Sequence, residues 1–306
     1  MNNTVYALAI SGADLFAGGK FTTAGGSAAN RIAKWNGSSW SALGSGMNYA
    51  VFALAVSGSD VYAGGLFTTA GGSAANSIAK WNGSSWSALG SGMDDHVWAL
   101  AVSGSDVYAG GYFTTAGGGA ANYIAKWDGS SWTALGSGMG RPPKYTAPSV
   151  LALAVSGSNL YAGGNFTTAG GSAANYIAKW DGSSWSALGS GMGPYGSVSA
   201  LAVTGSDLYA GGVFITAGGK VSPYIARAYL PTLPTLSVLR SGIPQSGITV
   251  SWPSADTASF TLEQASTLAP PPSWVTNVAS ITDDGTNKSV TLPATNSAQF
   301  FRLRRP

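Results

Sequence analysis

Apolar and small polar residues alternate in short segments along the first three quarters of the chain. One stretch predicts a first strand at Val51–Val56 and a second at Val61–Phe67, separated by a Ser-Gly-Ser-Asp turn. A glycine-rich loop at 68–76 then leads to a third strand at Ser77–Trp81, and an Asn-Gly turn leads to a fourth at Trp86–Leu89. No segment has a 3.6-residue period long enough for a helix, so the pattern predicts an all-β protein.

The same four-strand pattern recurs along residues 1–232. Its first turn begins at Ser11, Ser57, Ser103, Ser156 and Thr204, at spacings of 46, 46, 53 and 48 residues. Four strands every 40–50 residues are typical of a β-propeller blade, so five repeats predict a five-bladed β-propeller.

The fifth repeat departs from the pattern at Ala228-Tyr229-Leu230-Pro231 and lacks its fourth strand. Two outcomes stay open from the sequence. Either residues 229–240 cover the exposed edge, or the propeller is incompletely closed and the edge is available to another chain.

Residues 233–306 have a different character, because the repeat vanishes and proline becomes frequent. Short alternating segments predict a small C-terminal β-sandwich. They lie at Leu236–Leu239, Ile248–Trp252, Ser259–Glu263, Trp274–Val278, Ser289–Leu292 and Phe300–Leu303.

Two resemblances follow from these motifs. Tyr62-Ala63-Gly64-Gly65 and Trp86 resemble the Kelch-type propeller repeat, with one residue fewer between the tyrosine and the glycine pair. Residues 247–253 and the ending Phe300–Leu303 resemble the fibronectin-type-III-like modules that end secreted bacterial proteins. The second resemblance implies a secreted or cell-surface location in a bacterium. No signal peptide is visible, so we expect the leader to be absent from this chain.

The composition excludes several functions. The chain of 306 residues has no cysteine, one histidine, 9% charged residues and a net charge of +3. No basic cluster precedes Arg302–Arg305, so we expect no nucleic-acid partner. No apolar run approaches the roughly 18 residues of a membrane span. The Kelch-type resemblance includes galactose oxidase, whose copper site needs a cysteine-linked tyrosine and two histidines. This chain cannot supply them, so the resemblance implies a fold without that activity.

We therefore predict a protein that is not an enzyme and has no cofactor and no metal. The aspartate of the repeated turn supplies one carboxylate, too few for a calcium site of 6–8 oxygens, and a turn role is favoured. One cation per repeat lies on the third strand. A ring of such cations could hold an anion, but packing on aromatic rings and pairing with the turn aspartate is favoured. These cations are Lys34, Lys80, Lys126, Lys179 and Arg227.

Three positions vary among the otherwise similar repeats, and all flank the connectors between repeats or the second-to-third-strand loops. In a propeller these two loop types emerge on one face. The constant Ser-Gly-Ser-Asp and Asn/Asp-Gly-Ser-Ser turns lie on the other. Drift at tolerant positions is one explanation. We favour a binding face, because the variable residues are rich in aromatic and arginine side chains. The predicted site consists of Tyr6, Phe52, Trp98, Lys20, Tyr112, Asn165, Arg31, Tyr123, Tyr176, Tyr224 and His96.

The sequence thus predicts a non-enzymatic extracellular recognition module, lectin-like or adhesin-like, that binds a glycan or an extended peptide. The alternative is a structural surface protein that assembles by strand exchange between chains through the incomplete fifth repeat.

Overall fold

The computed structural model describes residues 1–140, 147–230, 236–241, 247–254, 260–268, 273–293 and 299–304. The chain forms two compact units, Met1–Tyr229 and Leu230–Pro306. The described residues contain strands, turns and bends but no helix, which confirms the all-β class. They accordingly include no helix that is long and apolar enough to cross a membrane.

Each of the first four repeats forms one antiparallel sheet with its strands in chain order, and the fifth forms a sheet of three strands. The first strands are Val5–Ser11, Val51–Ser57, Val97–Ser103, Ser149–Ser156 and Ser197–Thr204. The second strands are Asp14–Gly19, Asp60–Gly65, Asp106–Gly111, Asn159–Asn165 and Asp207–Val213. The third strands are Ile32–Trp35, Ile78–Trp81, Ile124–Trp127, Ile177–Trp180 and Ile225–Tyr229. The fourth strands are Trp40–Ala42, Trp86–Ala88, Trp132–Ala134 and Trp185–Ala187.

The predicted glycine-rich loop contains a small hairpin that the sequence pattern did not reveal. In repeat 2, Thr69–Ala70 pairs with Ser73–Ala74. Gly71 and Gly72 form its turn with φ values of 60° and 85°, the left-handed conformation that a tight two-residue hairpin needs. The equivalent hairpins pair Thr23–Ala24 with Ser27–Ala28, Thr115–Ala116 with Gly119–Ala120, Thr168–Ala169 with Ser172–Ala173, and Thr216–Ala217 with Lys220–Val221.

A methionine before each connector joins consecutive repeats through these hairpins. Met47 bridges to Ala70 of the next repeat. Before repeat 4 the bridge extends to a short strand, Met139–Gly140, which pairs with Thr168–Ala169. The end of each repeat is therefore tied by backbone hydrogen bonds to the repeat that follows.

Neighbouring sheets approach each other at a valine and a glycine. Val97, fully buried at the start of repeat 3, lies on Gly64 of repeat 2. A Cβ atom on Gly64 would lie 2.5 Å from Val97 Cγ1, closer than packed side chains allow. The same contact occurs between Gly18 and Val51, Gly110 and Val150, and Gly163 and Val198.

A tryptophan on the fourth strand makes a second contact between sheets. The indole Nε1 of Trp86 donates a hydrogen bond to the Leu43 carbonyl of the preceding repeat at 2.9 Å. Trp132 and Trp185 donate equivalent bonds to Leu89 and Leu135. Each bond satisfies a largely buried N–H and fixes the outer part of one sheet against the next.

The series of sheets is open. First strands of consecutive repeats pack against each other from repeat 1 to repeat 5. Both terminal first strands are fully described, and that of repeat 5 does not pack in this way against that of repeat 1. Leu8 and Ile10 of repeat 1 are consequently 63% and 72% exposed. Ile225 of repeat 5 is 64% exposed, whereas its equivalents Ile32, Ile78, Ile124 and Ile177 are at most 2% exposed.

The described part of residues 229–240 adds no fourth strand to the sheet of repeat 5. Tyr229 ends the third strand itself, and Ser237–Ser241 pairs with Gly247–Pro253 in the second unit. Residues 231–235 of the proposed covering segment lie outside the described residues.

The second unit contains two antiparallel sheets. One has the strand order Ser237–Ser241, Gly247–Pro253, Asn287–Pro293 and Thr282–Asp283, and the other Val275–Thr276, Thr261–Ala265 and Phe300–Arg304. Its core includes Trp252 and Val250, and the buried carboxylate of Glu263 pairs with Arg302 at 2.6 Å. The short strand Thr282–Asp283 was not predicted.

The turns before the fourth strands depend on one side-chain oxygen. Asn36, Asn82, Asp128 and Asp181 occupy the same position, and each accepts two backbone N–H bonds from the following serines. This arrangement is an Asx turn. These hydrogen bonds to the charged form hold the pKa values of Asp128 and Asp181 far below their usual range.

Two single glycine-to-alanine variants should distinguish a sheet face that is covered by a neighbouring sheet from one that is not. Gly64→Ala should lower the free energy of unfolding by about 1–3 kcal/mol, because the new methyl group collides with Val97. Gly211→Ala, whose Cβ meets nothing closer than 3.9 Å, should change it by less than about 0.5 kcal/mol. Urea denaturation followed by circular dichroism measures both. Equal losses at the two positions would show that Gly211 is covered as Gly64 is.

The Asx turns predict a specific acid sensitivity. A carboxylate whose pKa is lowered by folding stabilises the folded state above its ordinary pKa, and this stabilisation is lost as the pH falls. The variant Asp128→Asn/Asp181→Asn should therefore lose less stability than the natural chain between about pH 5 and about pH 2. The reverse change, Asn36→Asp/Asn82→Asp, should lose more. Melting temperatures measured across this range test both, and parallel pH profiles of the three proteins would contradict the prediction.

Candidate functional site

One β-bulge interrupts the first strand of every repeat. In repeat 1, Val5 pairs with Gly19 and Ala7 with Gly18, so Tyr6 is an extra residue without a partner in the ladder. The bulged residues of the later repeats are Phe52, Trp98, Leu151 and Ser199. A bulge redirects a side chain out of the regular alternation of a strand. The first of the three variable positions is therefore the bulged residue itself.

The bulges bring aromatic rings of three repeats into contact. Tyr6 and Phe52 have ring centroids 5.3 Å apart, and Phe52 stacks on Trp98 at 4.2 Å with an interplanar angle of 24°. His96 stacks on Trp98 at 5.3 Å. We call Tyr6, Phe52, His96 and Trp98 the aromatic column. It stops after repeat 3, because the next bulges carry leucine and serine.

His96 is fixed in this column by its neighbour. The Asp95 carboxylate contacts His96 Nδ1 and also accepts the backbone N–H of His96 at 2.7 Å. The His96 carbonyl accepts the backbone N–H of Tyr112 at 2.9 Å, which links the column to repeat 3's second variable position. Within the described ranges, no group of three or more histidine, cysteine or acidic side chains is arranged to hold a metal ion.

The third variable position has a left-handed backbone in every repeat. Arg31, Ser77, Tyr123, Tyr176 and Tyr224 have φ values between 61° and 69°. In repeat 1 two backbone bonds enforce this conformation. The Arg31 N–H donates to the Phe21 carbonyl at 2.8 Å, and the Gly19 N–H donates to the Arg31 carbonyl at 2.9 Å. Non-glycine residues in this region are costly and occur often at functional sites.

These bonds place the second and third variable positions side by side. In repeat 3, the rings of Tyr112 and Tyr123 are 6.4 Å apart, and burial raises the pKa of Tyr123. In repeat 1, Lys20 and Arg31 line one cavity of about 320 Å³ together with Asn3, Tyr49 and Ala50.

We call this space the cationic cavity, because its lining includes two cations and no carboxylate. Lys20 Nζ also lies 5.8 Å from the centre of the Tyr6 ring, so the cavity adjoins the end of the aromatic column. Tyr49 is 55% exposed and was not among the predicted site residues. Tyr49 lies in the connector between repeats 1 and 2, which differs in sequence from the other connectors.

The remaining predicted residues are placed differently. Tyr112 is 42% exposed and Tyr224 is 65% exposed, and Asn165 is partly buried. Tyr176 is only 5% exposed, so the expectation of an accessible ring there does not hold. The Gly193–Gly196 connector explains this difference, since a Cβ on Gly196 would lie 3.3 Å from the Tyr176 ring. Most of the connector at 141–148 lies outside the described residues.

Connectors and second-to-third-strand loops do meet at one end of the sheets. The Asn48 side chain accepts the backbone N–H groups of Thr68 and Thr69 at 3.0 and 3.1 Å. Asn2 and Asp94 bind the equivalent threonines of repeats 1 and 3. We call this end, defined by the three variable positions and the connectors, the connector face.

The cations of the third strands have a structural role. Lys80 Nζ lies 3.0 Å from Asp60 of the repeated turn, and this hydrogen bond raises the pKa of Lys80. Lys34, Lys126 and Arg227 make the same pair with Asp14, Asp106 and Asp207. In repeat 4 the turn carries Asn159 in place of aspartate. Four of the five third-strand cations therefore pair with an aspartate of the repeated turn.

No protein-family model matches the chain, and no curated protein matches it. Solved structures with some similarity include the crystal structure of the computationally designed Ika4 protein. The two chains share 19% sequence identity, and the alignment covers 59% of this chain and 92% of that chain with a TM-score of 0.36. A likeness of this extent carries no information about function.

Proposed function

We propose that this chain is a non-enzymatic recognition module that binds an extended, acidic ligand across the connector face of repeats 1–3. In this proposal the repeats form an open β-propeller of five blades, and the second unit is a small fibronectin-III-like sandwich. The ligand is an acidic glycan or an acidic peptide. A secreted or cell-surface location in a bacterium is part of the proposal, and the resemblance of the C-terminal sequence supports it.

The observation that carries the proposal is the contiguity of the aromatic column and the cationic cavity. Lys20 and Arg31 provide two positive charges without a carboxylate in the lining, a setting that favours a carboxylate or sulfate group. Tyr6, 44% exposed, offers an aromatic ring directly beside them. In a chain with only 9% charged residues, such a pair of cations is a strong local feature.

The stacking geometry supports an extended ligand. Phe52 and Trp98 cover each other's faces, so they provide a rigid base and leave little face for a sugar ring. The more exposed rings are Tyr6 of repeat 1 and Tyr112 of repeat 3. A ligand that contacts both rings must span repeats 1–3.

The ligand test uses residues that the chain already contains at equivalent positions. Lys20→Leu/Arg31→Ser converts the repeat 1 pair to the Leu66/Ser77 pair of repeat 2, so the backbone conformation is preserved. We expect this variant to lose about tenfold or more in affinity for acidic glycans or acidic peptides on an array. Binding by the natural chain should weaken with added salt. Lys220→Leu, on the exposed hairpin of repeat 5, removes one cation outside repeats 1–3 and is the control. Equal binding to neutral ligands, or unchanged binding by the double variant, would refute the proposal.

A second candidate function is self-assembly, and the two uncovered apolar faces favour it. Val5 is 37% exposed although its equivalents Val51 and Val97 are fully buried. Gly211, at the opposite end of the series, has an open position where its equivalent Gly64 receives a valine. Face-to-face stacking of two copies would reproduce the contact between neighbouring repeats. The fourth strands of repeats 1–4 are paired within their own sheets, so stacking requires no strand exchange.

Light scattering over a tenfold concentration range tests self-assembly. If it occurs, the mass should rise above the monomer value of 30.7 kDa. Leu8→Lys/Ile10→Lys should remain monomeric, because it charges the uncovered face of repeat 1. Leu268→Lys/Ile281→Lys changes two similarly exposed apolar residues of the second unit and should behave as the natural chain does. A constant monomer mass for the natural chain would exclude this function.

A further inference from the structure

The described residues of repeat 5 include no fourth strand, and they line a cavity of about 440 Å³. Its lining includes Leu188, Gly189, Met192, Gly218, Ala226 and Ala228. In repeats 2–4 the equivalent space is occupied by the fourth strand and its tryptophan. The complete repeats therefore show which contacts this cavity is shaped to make.

The first contact is with the hairpin turn. In repeat 2 a Cβ on Gly71 would lie 3.0 Å from Trp86 Cβ, so the tryptophan packs directly on the turn. Gly117 and Gly170 have the same relation to Trp132 and Trp185. Gly218 of repeat 5 has no atom of the described residues within 4 Å of its Cβ position. The surface that normally carries a tryptophan is open.

The second contact is a hydrogen bond to a carbonyl of the preceding repeat. The Leu43 carbonyl accepts both the Gly46 N–H and the Trp86 indole. The Leu188 carbonyl accepts the Gly191 N–H at 3.1 Å, and no indole from repeat 5 reaches it among the described residues. An acceptor position that is used in repeats 1–3 is thus available at the cavity.

The third contact is the strand edge. In repeat 2, Ala79 pairs with Ala88, Lys80 with Ser87 and Trp81 with Trp86. In repeat 5 the third strand pairs with Asp207–Val213, and no described strand pairs with the other side of residues 226–228. Such an edge is a template for an added strand. Ala228 also replaces the tryptophan found at this position in the other repeats, which leaves additional room.

We propose that this cavity is an acceptor site for an extended peptide of the type Trp-small-Ala-Leu-Gly from a partner chain. The peptide pairs antiparallel with the third strand, its alanine opposite Ala226 and its tryptophan opposite Ala228. The indole lies on Gly218 and donates its N–H to the Leu188 carbonyl. Backbone pairing supplies affinity and the tryptophan supplies specificity. The site lies at repeats 4 and 5 and shares no residue with the aromatic column or the cationic cavity, so it does not depend on the function proposed for repeats 1–3.

The probe is an 11-residue peptide with the sequence of residues 182–192, the fourth strand of repeat 4. A dye-labelled copy is titrated with the full chain and followed by fluorescence polarisation, and calorimetry gives the stoichiometry. We expect saturable one-to-one binding. A peptide with alanine in place of its tryptophan should bind about tenfold or more weakly.

Two matched protein variants locate the site. Gly218 and Gly205 have φ values of 58° and 57°, a conformation that asparagine tolerates. Among the residues that the structure describes, neither Cβ position has an atom within 4 Å. Gly218→Asn crowds the incoming tryptophan and should weaken peptide binding about tenfold or more. Gly205→Asn, at a turn whose equivalents are open in every repeat, should leave it unchanged. Thermal melts confirm that both variants are folded.

Three results would overturn the acceptor site. They are the absence of saturable binding, equal binding of the alanine peptide, and loss of binding in Lys20→Leu/Arg31→Ser instead of Gly218→Asn. The last result would assign the peptide to the connector face. If the chain is dimeric by light scattering and the peptide does not bind, the occupant of this end is a second copy, and the acceptor proposal is equally refuted.

Discussion

The close approach of a valine to a glycine sets the spacing on which the other features of the repeats depend. Val97 and its equivalents reach the backbone of the preceding sheet because Gly64 and its equivalents have no Cβ atom. Each sheet buries one apolar face only when the next sheet lies on it, so the stability of each repeat depends on its contacts with the neighbouring repeat. The stacking distance of 4.2 Å between Phe52 and Trp98 is a consequence, since these residues follow the interlocking valines directly in the sequence.

The two ends of the sheets have different chemical roles. At the turn end, the aspartates and third-strand cations neutralise each other, and Asx turns fix the backbone. At the connector face, bulges and left-handed residues hold side chains away from the regular strand geometry. Substitutions at these positions leave the strand ladder intact. The repeats can therefore differ in surface chemistry on one side while sharing a single packing scheme.

Interruption of the packing scheme creates the other two surfaces. At repeat 1 an apolar sheet face has no preceding sheet, and at repeat 5 both a following sheet and a fourth strand are missing from the described residues. The complete repeats define what each vacant position accepts. A valine side chain fits above Gly211, and a tryptophan-bearing strand fits between Gly218 and Leu188. The contacts within the complete repeats therefore indicate which contacts the terminal repeats can still make.

Local sequence patterns specify the number of repeats, the order and approximate bounds of their strands, and the turns between them. Those features arise from the alternation of side chains and from turn residues, and each depends on only a few consecutive residues. Four further features depend on contacts between distant residues: the bulges, the hairpin at Thr69–Ala74, the burial of Tyr176 and the place of Tyr49 in the cationic cavity. The same is true of the open series, which leaves Leu8 and Ile225 exposed. The angle and distance between neighbouring sheets arise from contacts between residues roughly 30–50 positions apart, and no local pattern encodes them.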